Sequence, residues 1–91
     1  MKYRVYSVYD SKAVFYLPPF TMRSDAEAIR SFTVAASDAN TAVGKHPGDF
    51  TLFCIGTYDD SSAELQKFDA LENLGVALQY VSVNDSQSIV K

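Results

Sequence analysis

The sequence predicts a two-layer α+β fold: a mainly antiparallel sheet of four strands, one long helix packed on it and a second helix at the C-terminal end. Two segments indicate the sheet: residues 2–9 and residues 50–58 are both rich in aromatic and β-branched side chains, which is typical of strands. A third supports the long helix, because a capping sequence at Ser24 precedes an apolar stripe with helical spacing. The predicted order is ββαββα, in a single domain over residues 1–81 followed by a polar tail at 82–91.

The N-terminal part of the chain predicts a β-hairpin. Residues 2–9 form the first strand, and the Asp-Ser-Lys sequence at 10–12 forms a turn, since Asp and Ser side chains bond to their own backbone. Residues 13–17 form the second strand, antiparallel to the first. The Pro-Pro pair at 18–19 must end this strand, because proline has no N–H to donate to a strand pair.

A helix is predicted from Ser24 to residue 37 or 38. Glu27 lies three residues after Ser24, which is the capping-box spacing, and Asp25 adds negative charge to the first turn. One stripe of this helix is apolar and is expected to pack on the sheet. Its members are Ile29, Phe32 and Ala36, flanked by Ala28 and Ala35.

A loop at residues 40–48 and the clearest strand of the chain, at residues 50–58, follow the helix. Both faces of this strand are substantially apolar. They consist of Phe50, Leu52, Cys54, Gly56 and Tyr58 on one side and of Thr51, Phe53, Ile55 and Thr57 on the other. A strand that is buried on one face alternates more cleanly, so we expect another layer or another subunit to cover the second face.

The remaining segment predicts a turn, a shorter strand and a helix. Residues 59–62 form the turn and residues 63–68 the strand. Asp69 could cap a second helix, with Glu72 three residues later and with Gly75 costing about 1 kcal/mol. The apolar stripe of this helix is Leu71, Leu74, Leu78 and Val81. Because the sheet retains an apolar face, we expect a homodimer with the C-terminal helix in or near the interface.

Composition limits the class of protein. No stretch approaches the ~20 apolar residues of a membrane span, and the N-terminus is typical of a strand rather than a signal peptide. Cys54 is the only cysteine and lies in an apolar run, where we expect a buried, inert thiol. These features favour a reducing compartment, the cytoplasm.

Charge is distributed unevenly along the chain. The net charge is −3, which argues against a nucleic-acid binder. Residues 1–45 have six bases and four acids, a net of +2, whereas residues 46–91 have two bases and seven acids, a net of −5. This asymmetry indicates either a molecule with one basic face or an uneven solvated surface.

Residue patterns typical of catalysis are absent from the sequence, and we expect a protein that is not an enzyme and has neither a cofactor nor a metal. His46 is the only histidine and is expected to lie in a surface turn. Asp59 and Asp60 are interpreted as turn residues, with metal binding as the less favoured alternative. There is neither a Gly-x-Ser-x-Gly elbow nor a glycine-rich phosphate loop.

Basic and aromatic side chains alternate at the N-terminus and recur later in the first half. The candidate nucleic-acid-binding residues are Lys2, Tyr3, Arg4, Tyr6, Tyr16, Arg23 and Arg30. A sheet face with Tyr beside Lys and Arg can hold single-stranded nucleic acid, because bases stack on the rings and cations contact the phosphates. The alternative is that the tyrosines are half-buried packing residues.

Four stretches of the sequence resemble a known viral family. They are Tyr16-Leu-Pro-Pro-Phe20, Arg23-Ser-Asp-Ala-Glu-Ala-Ile-Arg30, Pro47-Gly-Asp-Phe-Thr-Leu-Phe53 and Ile55-Gly-Thr-Tyr-Asp59. In this order and spacing they resemble the small non-structural protein of gokushovirus-type microviruses (Microviridae), which are bacteriophages with single-stranded DNA. The resemblance implies a protein of the host cytoplasm that is absent from the mature capsid. It also implies DNA binding, in genome replication or in the switch to packaging single strands.

Two functions therefore remain open. The first is a dimeric single-stranded-DNA-binding protein of a phage, which the resemblance favours. The second is a non-enzymatic protein-interaction module, an adaptor or inhibitor of a viral replication or capsid-assembly protein. The net negative charge and the acidic C-terminal half favour this second function.

Overall fold

The computed structural model describes residues 1–81 and confirms the α+β fold. Five strands form one antiparallel sheet in the order β2–β1–β4–β5, and β3 pairs with β1 beside β2. The strands are β1 (Lys2–Asp10), β2 (Phe15–Tyr16), β3 (Phe20–Met22), β4 (Phe50–Asp59) and β5 (Glu64–Val76). The helices are α1 (Asp25–Ala36) and α2 (Ala42–Lys45), with a 3₁₀ turn at Pro47–Asp49. Residues 77–81 are helical as well. The predicted tail at 82–91 lies outside the described residues.

The first hairpin has a longer turn than the sequence predicted. The predicted strand at 13–17 is reduced to Phe15–Tyr16, because Asp10 organises the residues after it into a turn. Its carboxylate accepts hydrogen bonds from the backbone N–H groups of Lys12 (3.0 Å) and Ala13 (3.1 Å). The N–H of Val14 donates to the Asp10 carbonyl at 2.8 Å. The backbone of Val14 is left-handed, with φ of 61°, so the chain cannot extend until Phe15.

The Pro-Pro corner is followed by a strand that the sequence analysis missed. Residues Phe20–Met22 pair antiparallel with β1, with Arg4 opposite Met22 and Tyr6 opposite Phe20. Three residues are too few for a period-two pattern to be recognised, so this strand has no signature in the sequence. The Tyr6 and Phe20 rings stack at 5.7 Å between centroids, so tertiary contact stabilises this strand.

Helix α1 agrees with the prediction. Ser24 is its N-cap and accepts a hydrogen bond from the Glu27 N–H at 3.3 Å. The Glu27 carboxylate in turn accepts from the backbone N–H of Arg23, one residue before the expected position. Ala28, Phe32 and Ala36 are buried against the sheet, with Ile29 and Ala35 partly buried beside them.

The predicted loop at 40–48 contains two short helical segments. Thr41 caps α2 by accepting from the Gly44 N–H at 2.9 Å, and its own hydroxyl donates to the Ala35 carbonyl at 2.7 Å. This ties α2 to the end of α1. Pro47 opens the 3₁₀ turn that leads into β4, a position where its missing N–H costs nothing.

Strand β4 lies between β1 and β5, close to the predicted span of 50–58. Phe50, Leu52, Cys54 and Gly56 are buried, whereas Thr51, Phe53, Ile55 and Thr57 are half-buried. A bulge at Ile55 makes Gly56 and Tyr58 pair with Val5 and Tyr3 on the side away from α1, so the prediction that they share a face with Cys54 is wrong. The core lies between α1 and the face that contains Phe50, Leu52 and Cys54. Its buried hydrophobic residues are Tyr6, Val8, Ala28, Phe32, Ala36, Val43, Phe50, Leu52, Cys54 and Ala77. The prediction of a buried thiol at Cys54 is confirmed.

The predicted helix beginning at Asp69 is wrong. Strand β5 continues to Val76, since Glu72 pairs with Cys54 and Gly75 with Leu52. Gly75 has φ of +119°, which no helix allows, and the Asn73 side chain accepts its N–H at 2.8 Å. The leucine spacing that suggested a helix therefore spans a strand and a turn, and helical structure begins only at residue 77.

Candidate interaction surface

Arg4 is the centre of a polar cluster on the inner face of the sheet. Its Nε donates to Asp25 Oδ1 at 2.8 Å, and its Nη2 donates to Glu72 Oε1. The Tyr6 hydroxyl donates to the same Asp25 oxygen at 2.8 Å. The guanidinium also lies over the Phe68 ring, 5.9 Å from its centroid. The cluster joins β1 to the start of α1 and to β5.

The two donors of this cluster have shifted pKa values. Burial lowers the pKa of Arg4, but the hydrogen bond and charge of Asp25 outweigh it, so the net shift is upward. Burial raises the pKa of Tyr6, and its hydrogen bond to Asp25 raises it further. Because two carboxylates already neutralise Arg4, its guanidinium is not free for a phosphate. Tyr6 has no exposed surface, so no base can stack on it.

The predicted nucleic-acid-binding residues do not form one surface. Residues that pair directly across a sheet share a face, and β1 alternates, so Lys2, Arg4 and Tyr6 lie on the inner side and Tyr3 on the outer side. Arg23 precedes the N-cap of α1, Arg30 lies along α1, and both are exposed. Tyr16 pairs with Tyr9 on the outer side. Tyr3 and Tyr16 thus lie on the opposite side of the sheet from Lys2 and Arg4.

The side of the sheet opposite α1, called here the outer face, is rich in aromatic and aliphatic residues, most of them half-buried. Its members are Tyr3, Val5, Tyr9, Tyr16, Phe53, Ile55, Tyr58, Leu65 and Lys67. Three of the rings form a cluster, with centroid distances of 4.7 Å between Tyr9 and Tyr16 and 5.9 Å between Tyr16 and Phe53. Leu65 is 71% exposed and Tyr16 47% exposed, whereas Val5 is buried. Phe53 and Ile55, from the apolar second face of β4, lie at the centre of this surface.

An apolar groove crosses the outer face. One part, of about 190 Å³, has Val5 and Gly56 at its floor and Pro19 and Leu65 at its sides. A second part of about 210 Å³ extends it toward Tyr58, and a third of about 190 Å³ extends it past Ile55 toward Tyr16. Among the described residues that line these parts, Lys67 is the one charged side chain, and no carboxylate is present.

The sequence analysis missed the groove because its two sides come from distant parts of the chain. Pro19 and Leu65 approach the same floor only after β1 and β4 have paired. Val5 pairs with Gly56 and Tyr6 with Cys54, so Ile55 has no partner on β1. The pairing of β4 with β5 shifts at the same residue, and such bulges bend a sheet. The signal available from sequence was the apolar second face of β4.

The acidic turn at residues 59–62 has a structural role. The Asp59 carboxylate accepts hydrogen bonds from the N–H (3.0 Å) and hydroxyl (2.7 Å) of Ser61, and these bonds lower its pKa. Asp60 binds the N-terminal ammonium of Met1 at 2.8 Å. Within residues 1–81 there is no group of three or more His, Cys, Asp or Glu side chains that could hold a metal ion.

The other chemical groups considered from sequence are placed as follows. His46 is exposed at the end of α2. Cys54 has no exposed surface, and burial raises the pKa of its thiol. In the part of the chain that the structure describes, no helix has the length and apolar character needed to cross a membrane.

Comparison with known proteins identifies one family. A family model described as "Phage ORF5 protein" matches residues 3–80, which is most of the chain; of the described strands and helices it omits only Lys2 and residue 81. No curated protein and no solved structure matches the chain.

Proposed function

The chain belongs to the Phage ORF5 protein family, and from this premise we propose that it is a phage non-structural protein that acts by binding a protein partner at its outer face, without catalysis. This is the adaptor or inhibitor function that the acidic C-terminal half favoured. One observation carries the proposal: the outer groove is apolar, exposed and almost free of charge in a protein with 21% charged residues.

The composition of the groove fits a protein better than a nucleic acid. Protein interfaces concentrate aromatic and aliphatic anchors at their centre and exclude charge from it. The groove has aliphatic walls at Pro19 and Leu65 and an aromatic cluster at one end. A nucleic-acid site instead requires several Lys or Arg residues per bound segment, because phosphate contacts supply most of the non-specific affinity.

Binding of single-stranded DNA is the second candidate function, in genome replication or in the switch to packaging. The resemblance to gokushovirus-type microviruses and the accessible tyrosines of the outer face support it. Tyr3, Tyr16 and Tyr58 can each present a ring to a base, and Lys67 can contact a phosphate. With a single cation on this face, such binding depends mainly on stacking, and its affinity falls only weakly with salt, with a slope of about −0.7 in log units. Both functions belong to the cytoplasm of the infected host.

One experiment separates the two functions. The tagged chain is recovered from phage-infected cells with and without nuclease treatment, as wild type and as the variants Leu65→Glu and Val34→Glu. Leu65 and Val34 are 71% and 65% exposed, but Val34 lies on α1, away from the outer face, so it is a matched control. We expect a phage-encoded protein to co-purify with wild type and Val34→Glu, to resist nuclease, and to be lost with Leu65→Glu.

Two results would count against the protein-binding function. A partner that Leu65→Glu retains does not use the outer face. The DNA-binding function would be favoured instead if nuclease abolished recovery of the phage protein and if a labelled oligonucleotide bound the chain at about 50 mM salt in fluorescence anisotropy. Tyr16→Ala would then be expected to weaken this oligonucleotide binding.

A further inference from the structure

We propose that the partner at the outer face is a second copy of this chain, in a two-fold dimer. The proposal rests on the proposed function in one respect: it uses the same outer face. It names the occupant of that face, and two properties of the described residues support it.

The first property is that the edges of the sheet are unsuited to pairing between copies. On β5, Lys67 pairs with Gly56 and Glu72 pairs with Cys54. The four residues between them (68–71) face one residue of β4, so a bulge interrupts this edge of the sheet. The same strand has charged side chains at Glu64, Lys67, Asp69 and Glu72. Bulges and charges are features that prevent edge-to-edge association, and at the opposite edge β2 and β3 have only two and three residues. Copies of the chain can therefore associate through a face more readily than through an edge.

The second property is the size and neutrality of the outer face. With a rise of ~3.3 Å per residue and ~4.8 Å between strands, a face ten residues long and four strands wide covers roughly 600 Å². Two such faces in contact bury about 1,200 Å², the lower limit for specific interfaces. Because Lys67 is the one charged side chain among the described groove residues, the face can meet its own copy with little like-charge repulsion.

The test is the oligomeric state of the purified full chain, measured by sedimentation equilibrium over a wide concentration range in the absence of DNA. We expect wild type and Val34→Glu to dimerise with the same dissociation constant and Leu65→Glu to weaken the dimer at least about tenfold, the effect of a charge placed without a partner in an apolar interface. Far-ultraviolet circular dichroism checks that each variant is folded. Since Leu65 and Val34 are both exposed, neither substitution removes a core side chain.

A wild-type chain that remains monomeric, or a Leu65→Glu dimer of undiminished affinity, overturns the proposal. A monomeric wild type that still loses its phage partner on Leu65→Glu would overturn the dimer alone and leave the proposed function standing.

Discussion

Gly56 allows β4 and β5 to approach each other at the floor of the outer groove, and Gly56→Ala tests this directly. A Cβ atom at this position would lie 2.2 Å from the backbone carbonyl oxygen of Gln66, whereas ordinary contact begins at 3.4 Å. Since the obstructing atom belongs to the backbone of β5, the two strands must separate locally by about 1 Å. The strand pairing and the packing around the groove are then disturbed together.

The expected cost follows from the interactions that this movement weakens. Loss of about two strand-pairing hydrogen bonds costs ~1 kcal/mol each, and the overpacking strain adds ~1–2 kcal/mol. The reduced backbone freedom of the unfolded chain with Ala offsets ~0.4–1 kcal/mol. We therefore expect Gly56→Ala to lower the free energy of unfolding by about 2–3.5 kcal/mol, measured by urea denaturation followed by circular dichroism.

The matched control is Gly48→Ala in the 3₁₀ turn. No atom lies within 4 Å of a Cβ at Gly48, so we expect this variant to be as stable as wild type or more stable by up to ~1 kcal/mol. If Gly56→Ala differed from wild type by less than about 0.5 kcal/mol, the close approach of β5 to Gly56 would be wrong. A comparable loss in Gly48→Ala would show that the effect belongs to glycine replacement in general.

Two further predictions concern the turns. Val14 has φ of 61° and is 70% exposed, so Val14→Gly removes about 1–2 kcal/mol of backbone strain. The larger entropy of the unfolded chain with Gly cancels part of this gain, and we expect the free energy of unfolding, measured by urea denaturation, to rise by about 1 kcal/mol. A loss of stability would contradict the strained turn. For Asp59, hydrogen bonds from Ser61 lower the folded-state pKa below the unfolded value of about 4. When a carboxyl pKa is lowered by folding, the carboxylate stabilises the protein fully above its unfolded-state pKa, and this stabilisation is lost as the pH falls through its folded-state pKa. We therefore expect wild type to lose more stability below pH ~4 than Asp59→Asn, measured by urea titrations repeated across pH. Equal pH profiles of the two proteins would exclude this contribution.

Local chemistry was sufficient to predict several elements from the sequence. Ser24 and Glu27 mark the start of α1, because the side chains that satisfy the first N–H groups of a helix are its immediate neighbours. Strand β4 was predicted from its length and its aromatic and β-branched content. Its two faces were assigned correctly as far as Cys54, but the bulge at Ile55 moves Gly56 and Tyr58 to the other face. The apolar character of its second face pointed to the outer groove.

The errors arose where contacts distant in sequence decide the local structure. The leucines after Asp69 fit a helical stripe, yet pairing with β4 and the positive φ of Gly75 hold this segment as a strand and a turn. The predicted nucleic-acid-binding residues were separated for the same reason. Alternation along β1 could group Lys2 with Arg4, but only the fold shows that Asp25 and Glu72 neutralise Arg4 and that Tyr6 is buried beneath α1.

The amino-acid order by itself determined the class of fold, the position of α1 and β4 and the unequal charge of the two halves, because each of these depends on residue type and short-range spacing. The tertiary structure alone decided which side chains remain available to a partner. Pairing of β1 with β4 placed Tyr3 on the opposite side of the sheet from Lys2 and Arg4 and brought Pro19 and Leu65 to one groove, and no local pattern encodes a contact between residues so far apart in the chain.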